Sequence, residues 1–207
     1  EARAIARRFA EPDPKIYWPD FLISAAIGWT AFAGAVFARP FSLVQIALVV
    51  VAALALLRAV LFTHELAHLK KGTFGVFRFV WNALAGAPFL VPSYSYTGVH
   101  IDHHRPGVYG STSDGEYVSF GAGAPWRLVA YVLLSFILPA LLLVRFLILT
   151  PLSWIIRPLR KLIWRRMSSL AIDLNYDRHP QNKDDDQTWL IQETATTLLA
   201  LGVAALI

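Results

Sequence analysis

Apolar positions in this chain fall in long blocks, without the period-two alternation of a half-buried strand. Phe21 to Ala38 carries no charge and is about long enough to cross a bilayer, which takes roughly 20 apolar residues. Arg39-Pro40 interrupts it. Phe41 to Leu57 follows with Ser42 and Gln45 as its polar residues, and extends through Arg58 to Thr63. Two such segments joined by so short a turn predict an antiparallel pair of membrane helices. Phe79 to Pro92 is apolar but short, and Asn82, Gly86, Pro88 and Pro92 break it, the pattern of a re-entrant or interfacial segment. Ser93 to Pro125 is polar and Gly-rich and belongs in water. Leu128 to Thr150 is apolar again, with Pro139 near its centre and Arg145 inside it. Asp173 to Asp186 is a charged loop, and Ala195 to Ile207 opens a last apolar run. Backbone groups in lipid must bond within their own segment, so the blocks predict an all-α, integral membrane helical bundle.

Composition agrees with lipid as the solvent. Hydrophobic residues make up 56%, charged residues 16%, and the mean hydropathy is +0.50, which excludes an ordinary soluble domain. The absence of Cys excludes disulfides and thiolate ligation of a metal. The net charge of +5 comes from basic clusters beside apolar segments, which points to anionic lipid headgroups; no nucleic-acid-binding motif accompanies it, so no nucleic acid partner is expected. Arg3, Arg7, Arg8 and Lys15 precede the first apolar block, and Lys70, Lys71 and Arg78 follow the second, so the positive-inside rule sets both ends of the helical pair in the cytoplasm. The chain then divides into a cytoplasmic segment, 1–20, and a membrane domain, 21–207. Trp154 to Met167 is a basic amphipathic stretch suited to the cytoplasmic interface. A single crossing by Leu128–Thr150 would carry it to the other side, so the charge pattern predicts a hairpin bent at Pro139. The first residue is Glu1, the one Met is Met167, and the last run is about a third short of a span, so the chain reads as part of a longer protein.

Five of the six histidines lie between His64 and His104. His64 and His68, in H-E-L-A-H, stand four apart at the end of the second span, where a helix puts both rings on one face. His100, His103 and His104, in H-I-D-H-H, have the i, i+3, i+4 spacing that gathers three rings on one side of a helix. Both groups fall at the cytoplasmic boundary. Imidazole suits zinc, copper, iron and nickel. One tetrahedral zinc needs three or four ligands, so five visible candidates predict two metals. Glu65 and Asp102 point away from their neighbouring rings and suit hydrogen-bond acceptors that fix imidazole tautomers, or plain surface charges. His179, in D-R-H-P, has no neighbour at ligand spacing and reads as a solvated loop histidine.

H-E-L-A-H followed some thirty residues later by H-I-D-H-H, after a hydrophobic pair, resembles the membrane fatty acid desaturase superfamily. Trp81-Asn82, Pro92 to Tyr94 and Tyr109-Gly110 strengthen the likeness to its bacterial members, which is close to about residue 125 and rests on hydropathy beyond. The family's third histidine box is not found here. The resemblance implies two non-haem irons between histidine boxes, molecular oxygen as co-substrate, and removal of two hydrogens from the acyl chain of a membrane lipid. It also implies electrons from a ferredoxin or a cytochrome with its reductase, and a multi-pass protein of a bacterial inner membrane. Hydroxylases and ketolases of alkanes or carotenoids share the same boxes. H-E-L-A-H also matches the zinc protease pattern H-E-x-x-H, with Glu65 as general base. That class takes a further ligand, commonly an Asp in a later apolar segment, and the later apolar segments contain none. A binding protein with a structural metal is a further reading.

Overall fold

Helix α1 (Pro14–Phe37) begins where Asp13 accepts the Lys15 N–H at 2.8 Å and Pro14 supplies a first helical residue whose missing N–H costs nothing. The structure is a computed structural model and describes residues 12–69, 72–111, 113–118, 124–173, 175–178 and 183–206. Arg3, Arg7, Arg8, Lys70, Lys71 and His179 lie outside the described residues. All regular elements among those described are helical. They form two compact units, 1–85 and 86–207.

In the first unit α1 turns at Arg39-Pro40 into α2 (Leu43–His68). The two polar residues of the second apolar block make that turn. Ser42 caps α2 by accepting the Gln45 N–H at 3.2 Å. The Gln45 amide accepts the Phe41 N–H at 2.7 Å and donates to the Ala35 carbonyl at 3.1 Å. The helices pack along a seam of small residues, Ala25, Gly28, Ala31 and Ala35, against Ala52, Leu56 and Ala59. Gly28 has no room for a side chain: a Cβ there would lie 2.5 Å from Leu56 Cγ. At the other end Phe21, Phe62 and Phe77 pack edge to face or tilted, with centroids 5.4–5.8 Å apart. Phe77 belongs to the short helix α3 (Gly75–Trp81), anchored by Trp81 Nε1 donating to the Ala59 carbonyl at 2.8 Å. A π-helical turn, Asn82–Gly86, and reverse turns at 87–90 follow, so the Phe79–Pro92 segment contains no spanning helix.

In the second unit α4 (Tyr94–His103) carries the second histidine group. Next comes α5, which runs without reversal from Trp126 to Ile155. The hairpin bent at Pro139 is therefore incorrect. Pro139 removes one backbone donor, whereas a reversal there would strip several apolar residues of their helical bonds. The ladder widens instead at Arg145–Leu149, just before Pro151, another residue without an N–H; the Thr150 N–H reaches back to the Arg145 carbonyl, which the Thr150 hydroxyl also meets at 2.8 Å. From Trp126 to Val144 no side chain of α5 is buried. Arg145 is buried, and its guanidinium is held by Glu193, Thr150 and the Met167 carbonyl. Glu193 also pairs with Arg160, so the buried carboxylate serves two cations.

The basic stretch forms α6 (Arg157–Met167), with Ile163 buried and the positive side chains outward or in ion pairs. Helix α7 (Lys183–Ala204) starts inside the segment expected to be a charged loop. Its Trp189 packs on Tyr94, Ile163 and Trp164. Between α6 and α7 the chain returns to the histidine helix. The Leu170 N–H donates to the Ser95 carbonyl at 2.8 Å and the Ile172 N–H to the Gly115 carbonyl at 2.7 Å. Gly115 permits this approach, because a Cβ there would lie 2.5 Å from Val99 Cγ2 and 2.8 Å from the Tyr176 ring. Among the described residues three helices, α1, α2 and α5, are long and apolar enough to cross a membrane.

Candidate metal centre

The first unit brings His64 and His68 together on the last turns of α2, exposed, with ring centroids 4.7 Å apart. Glu65 is oriented from below: the Tyr17 hydroxyl donates to its Oε2 at 2.6 Å, leaving Oε1 3.4 Å from His64 Nδ1.

The second unit gathers His100, His103 and His104 at the end of α4, as the spacing predicts. His100 is 3% exposed. Its Nδ1 lies 2.9 and 3.1 Å from the two Glu116 oxygens. The Nδ1 of His103 lies 2.9 Å from each Asp114 oxygen. An ionised carboxylate only accepts, so in both rings Nδ1 carries the proton, and in the neutral imidazole Nε2 holds the lone pair. Tyr96 stacks on His100 with centroids 4.8 Å apart and donates to Glu116 at 3.3 Å. Burial, and then the Glu116 charge, push its phenol up to about 12.

Asp114 is itself fixed. It accepts the backbone N–H of Gly110 at 2.8 Å and of Glu116 at 3.0 Å. Burial alone would raise its carboxyl, but these two N–H groups and His103 outweigh burial and hold it below the usual carboxylate range. Glu116 thus accepts from His100 and Asp114 from His103, and the sequence singles out neither. Asp102, expected in that role, is buried and accepts the Tyr176 hydroxyl at 2.6 Å while pairing with Arg105 at 3.0 Å. The signal for this pair was D-G-E at 114–116, inside a loop whose Gly and Ser content reads as solvated chain.

The donor set fits a divalent cation. His100 Nε2 and His104 Nε2 lie 3.2 Å apart. Two imidazole nitrogens each about 2.1 Å from one metal, at an angle near 100°, come about that close. The set is nitrogen-rich with carboxylates behind it, the chemistry of zinc, iron and copper sites rather than of calcium or magnesium.

Over residues 40–207 the chain matches the family described as Fatty acid desaturase, and it belongs to that family. Among curated proteins it is similar to a ceramide hydroxylase of Caulobacter vibrioides (strain NA1000 / CB15N), with 31% identity over 205 residues. That alignment covers 99% of this chain and 58% of the relative, so the chain spans little more than half of the relative's length. No solved structure matches it.

Proposed function

We propose that this chain supplies the membrane helices and two histidine groups of an oxygen-dependent oxidoreductase that attacks an unactivated C–H bond in a membrane lipid. The observation that carries the reading is the pair of carboxylate-backed imidazoles, His100–Glu116 and His103–Asp114. A hydrogen-bonding residue of a soluble loop gains nothing from a proton locked on Nδ1 by a buried carboxylate; a metal ligand does. His64, His68, His100, His103 and His104 would hold two irons, with Glu65 positioned beside His64. When bound, the irons supply the oxygen chemistry that breaking an aliphatic C–H bond requires. The protein's own share is placement: Glu116 and Asp114 fix ring orientation, Tyr96 covers His100, and the apolar helices keep the lipid at hand.

Hydroxylation of a ceramide-type lipid is the first reading, because the similarity to a ceramide hydroxylase runs over nearly the whole chain. One oxygen atom of O2 enters the C–H bond and the other leaves as water, with two electrons from a ferredoxin or cytochrome-type donor and two protons from the surrounding water. Desaturation is the second reading, favoured by the family's name. There the same four reducing equivalents, two from the donor and two from the acyl chain, take both oxygen atoms to water. Membership in this family makes the zinc protease reading of H-E-L-A-H the weaker one. The site would face the cytoplasm from a bacterial inner membrane, as the basic flanks of α1 and α2 imply. Expressing the complete protein with an electron donor and analysing lipids by mass spectrometry separates the readings. A gain of one oxygen atom supports hydroxylation, a loss of two hydrogens supports desaturation, and unchanged lipids from iron-loaded, reduced protein would overturn both.

A further inference from the structure

A cavity of about 360 Å³ opens in the first unit beside His64, and nothing in the proposed chemistry uses it. Because α1 and α2 are antiparallel, the start of one faces the last third of the other. Tyr17 and Asp20 of α1 thus share the wall with Arg58, Phe62, His64 and Glu65 of α2. Its polar groups are already partly spent on one another. Asp20 takes Arg58 through Nε at 3.2 Å and through Nη2, while the guanidinium lies over the Phe62 ring at 5.3 Å. Tyr17 gives its one proton to Glu65. What the wall still offers is carboxylate lone pairs, and its one guanidinium faces two carboxylates, Asp20 and Glu65. Counting these side chains alone, two carboxylates stand against one guanidinium, which disfavours a phosphate-bearing headgroup. A headgroup of hydroxyls and an amide N–H presents the donors those oxygens lack.

We propose that this cavity seats the uncharged, donor-bearing head of the lipid substrate, the hydroxyls and amide N–H of a ceramide-class molecule. The hydrocarbon lies against Leu61, Leu57 and Leu54, which are exposed in one row running down α2 from the cavity. The proposal rests on the reading that His64 serves a lipid-oxidising metal centre, and it adds the residues that choose the lipid.

Binding can be measured without metal or turnover, on the full chain in detergent micelles, with a fluorescent short-chain ceramide as probe. Competitors are ceramide 1-phosphate and diacylglycerol of matched chain length. Native protein is expected to prefer ceramide over both. Asp20→Asn removes an acceptor and releases Arg58, so ceramide binding falls about tenfold and ceramide 1-phosphate becomes the better ligand. Should that variant fail to fold, Asp20→Asn with Arg58→Gln keeps an uncharged hydrogen-bonded pair and should narrow the preference for ceramide several-fold. Equal binding of ceramide and its phosphate by native protein, or an unchanged preference in the variants that fold, would overturn the proposal. Failure of iron-loaded protein to oxidise lipid would count against the centre and leave this binding result standing. Unaltered preference in an enzyme that does oxidise lipid would count against the cavity alone.

Discussion

Glu116 and Asp114 decide how His100 and His103 present themselves, and they do it through ring atoms that never meet a metal. A carboxylate on Nδ1 fixes the tautomer, sets the ring plane and raises the basicity of Nε2. Replacing Glu116 by Ala should therefore lower metal affinity about 10–100-fold while His100 itself is untouched. Glu116→Gln, which keeps an acceptor without the charge, should fall between, and equilibrium metal titration reads the order. Equal affinity in all three proteins would mean that the carboxylate is incidental. At this scale the sequence told only half. Histidines at i, i+3 and i+4 announce themselves by spacing. Their acceptors arrive from a loop, where no period marks one acid out from another, and Asp102 looked the better candidate simply because it was adjacent. Asp102 accepts the Tyr176 hydroxyl, tying the return segment to the histidine helix.

Helix pairing was legible where it depended on length; the small-residue seam that packs α1 on α2 was not. Uncharged blocks of span length on either side of Arg39-Pro40 forecast α1 and α2, and Ser42 and Gln45, the two polar exceptions, proved to build the turn between them. Gly28 lies against Leu56 with no room for a side chain. Gly28→Leu should destabilise the pair by about 1–3 kcal/mol through overpacking, and Leu56→Ala added to it should recover part of the loss. Thermal unfolding in detergent reads both. No recovery would place the strain elsewhere. Helix α5 shows where sequence reasoning was misled. A proline at mid-span and a basic stretch beyond it favoured a bend, but one lost hydrogen bond is cheaper in lipid than an open turn. The buried ion group accounts for Arg145, the one charged residue inside the apolar segment Leu128–Thr150. Glu193→Leu leaves two buried or half-buried guanidinium groups without their anion and should cost about 3–5 kcal/mol. A variant as stable as the native chain would show that these charges are solvated.

At the largest scale, within the second unit, the segment after α6 lies beside the histidine loop, although no hairpin at Pro139 brings it there. The hydrogen bonds from Leu170 and Ile172 to Ser95 and Gly115 keep the segment after the basic helix beside the second histidine group. Ser111 and Ser169 should therefore face the same side of the membrane. The chain has no native Cys, so Ser111→Cys and Ser169→Cys can be labelled one at a time with an impermeant thiol reagent. Both should react only after intact cells are opened; labelling of one but not the other from outside would contradict the arrangement.

Both histidine groups are proposed to bind iron, and counting the metal tests this most directly. Complete protein purified without chelators should carry about two irons per chain, the number that five visible imidazoles and an oxygen reaction call for. His64→Ala and His100→Ala, which lie in different units, should each lower that same iron content. One zinc per chain, retained in His100→Ala, would contradict the account.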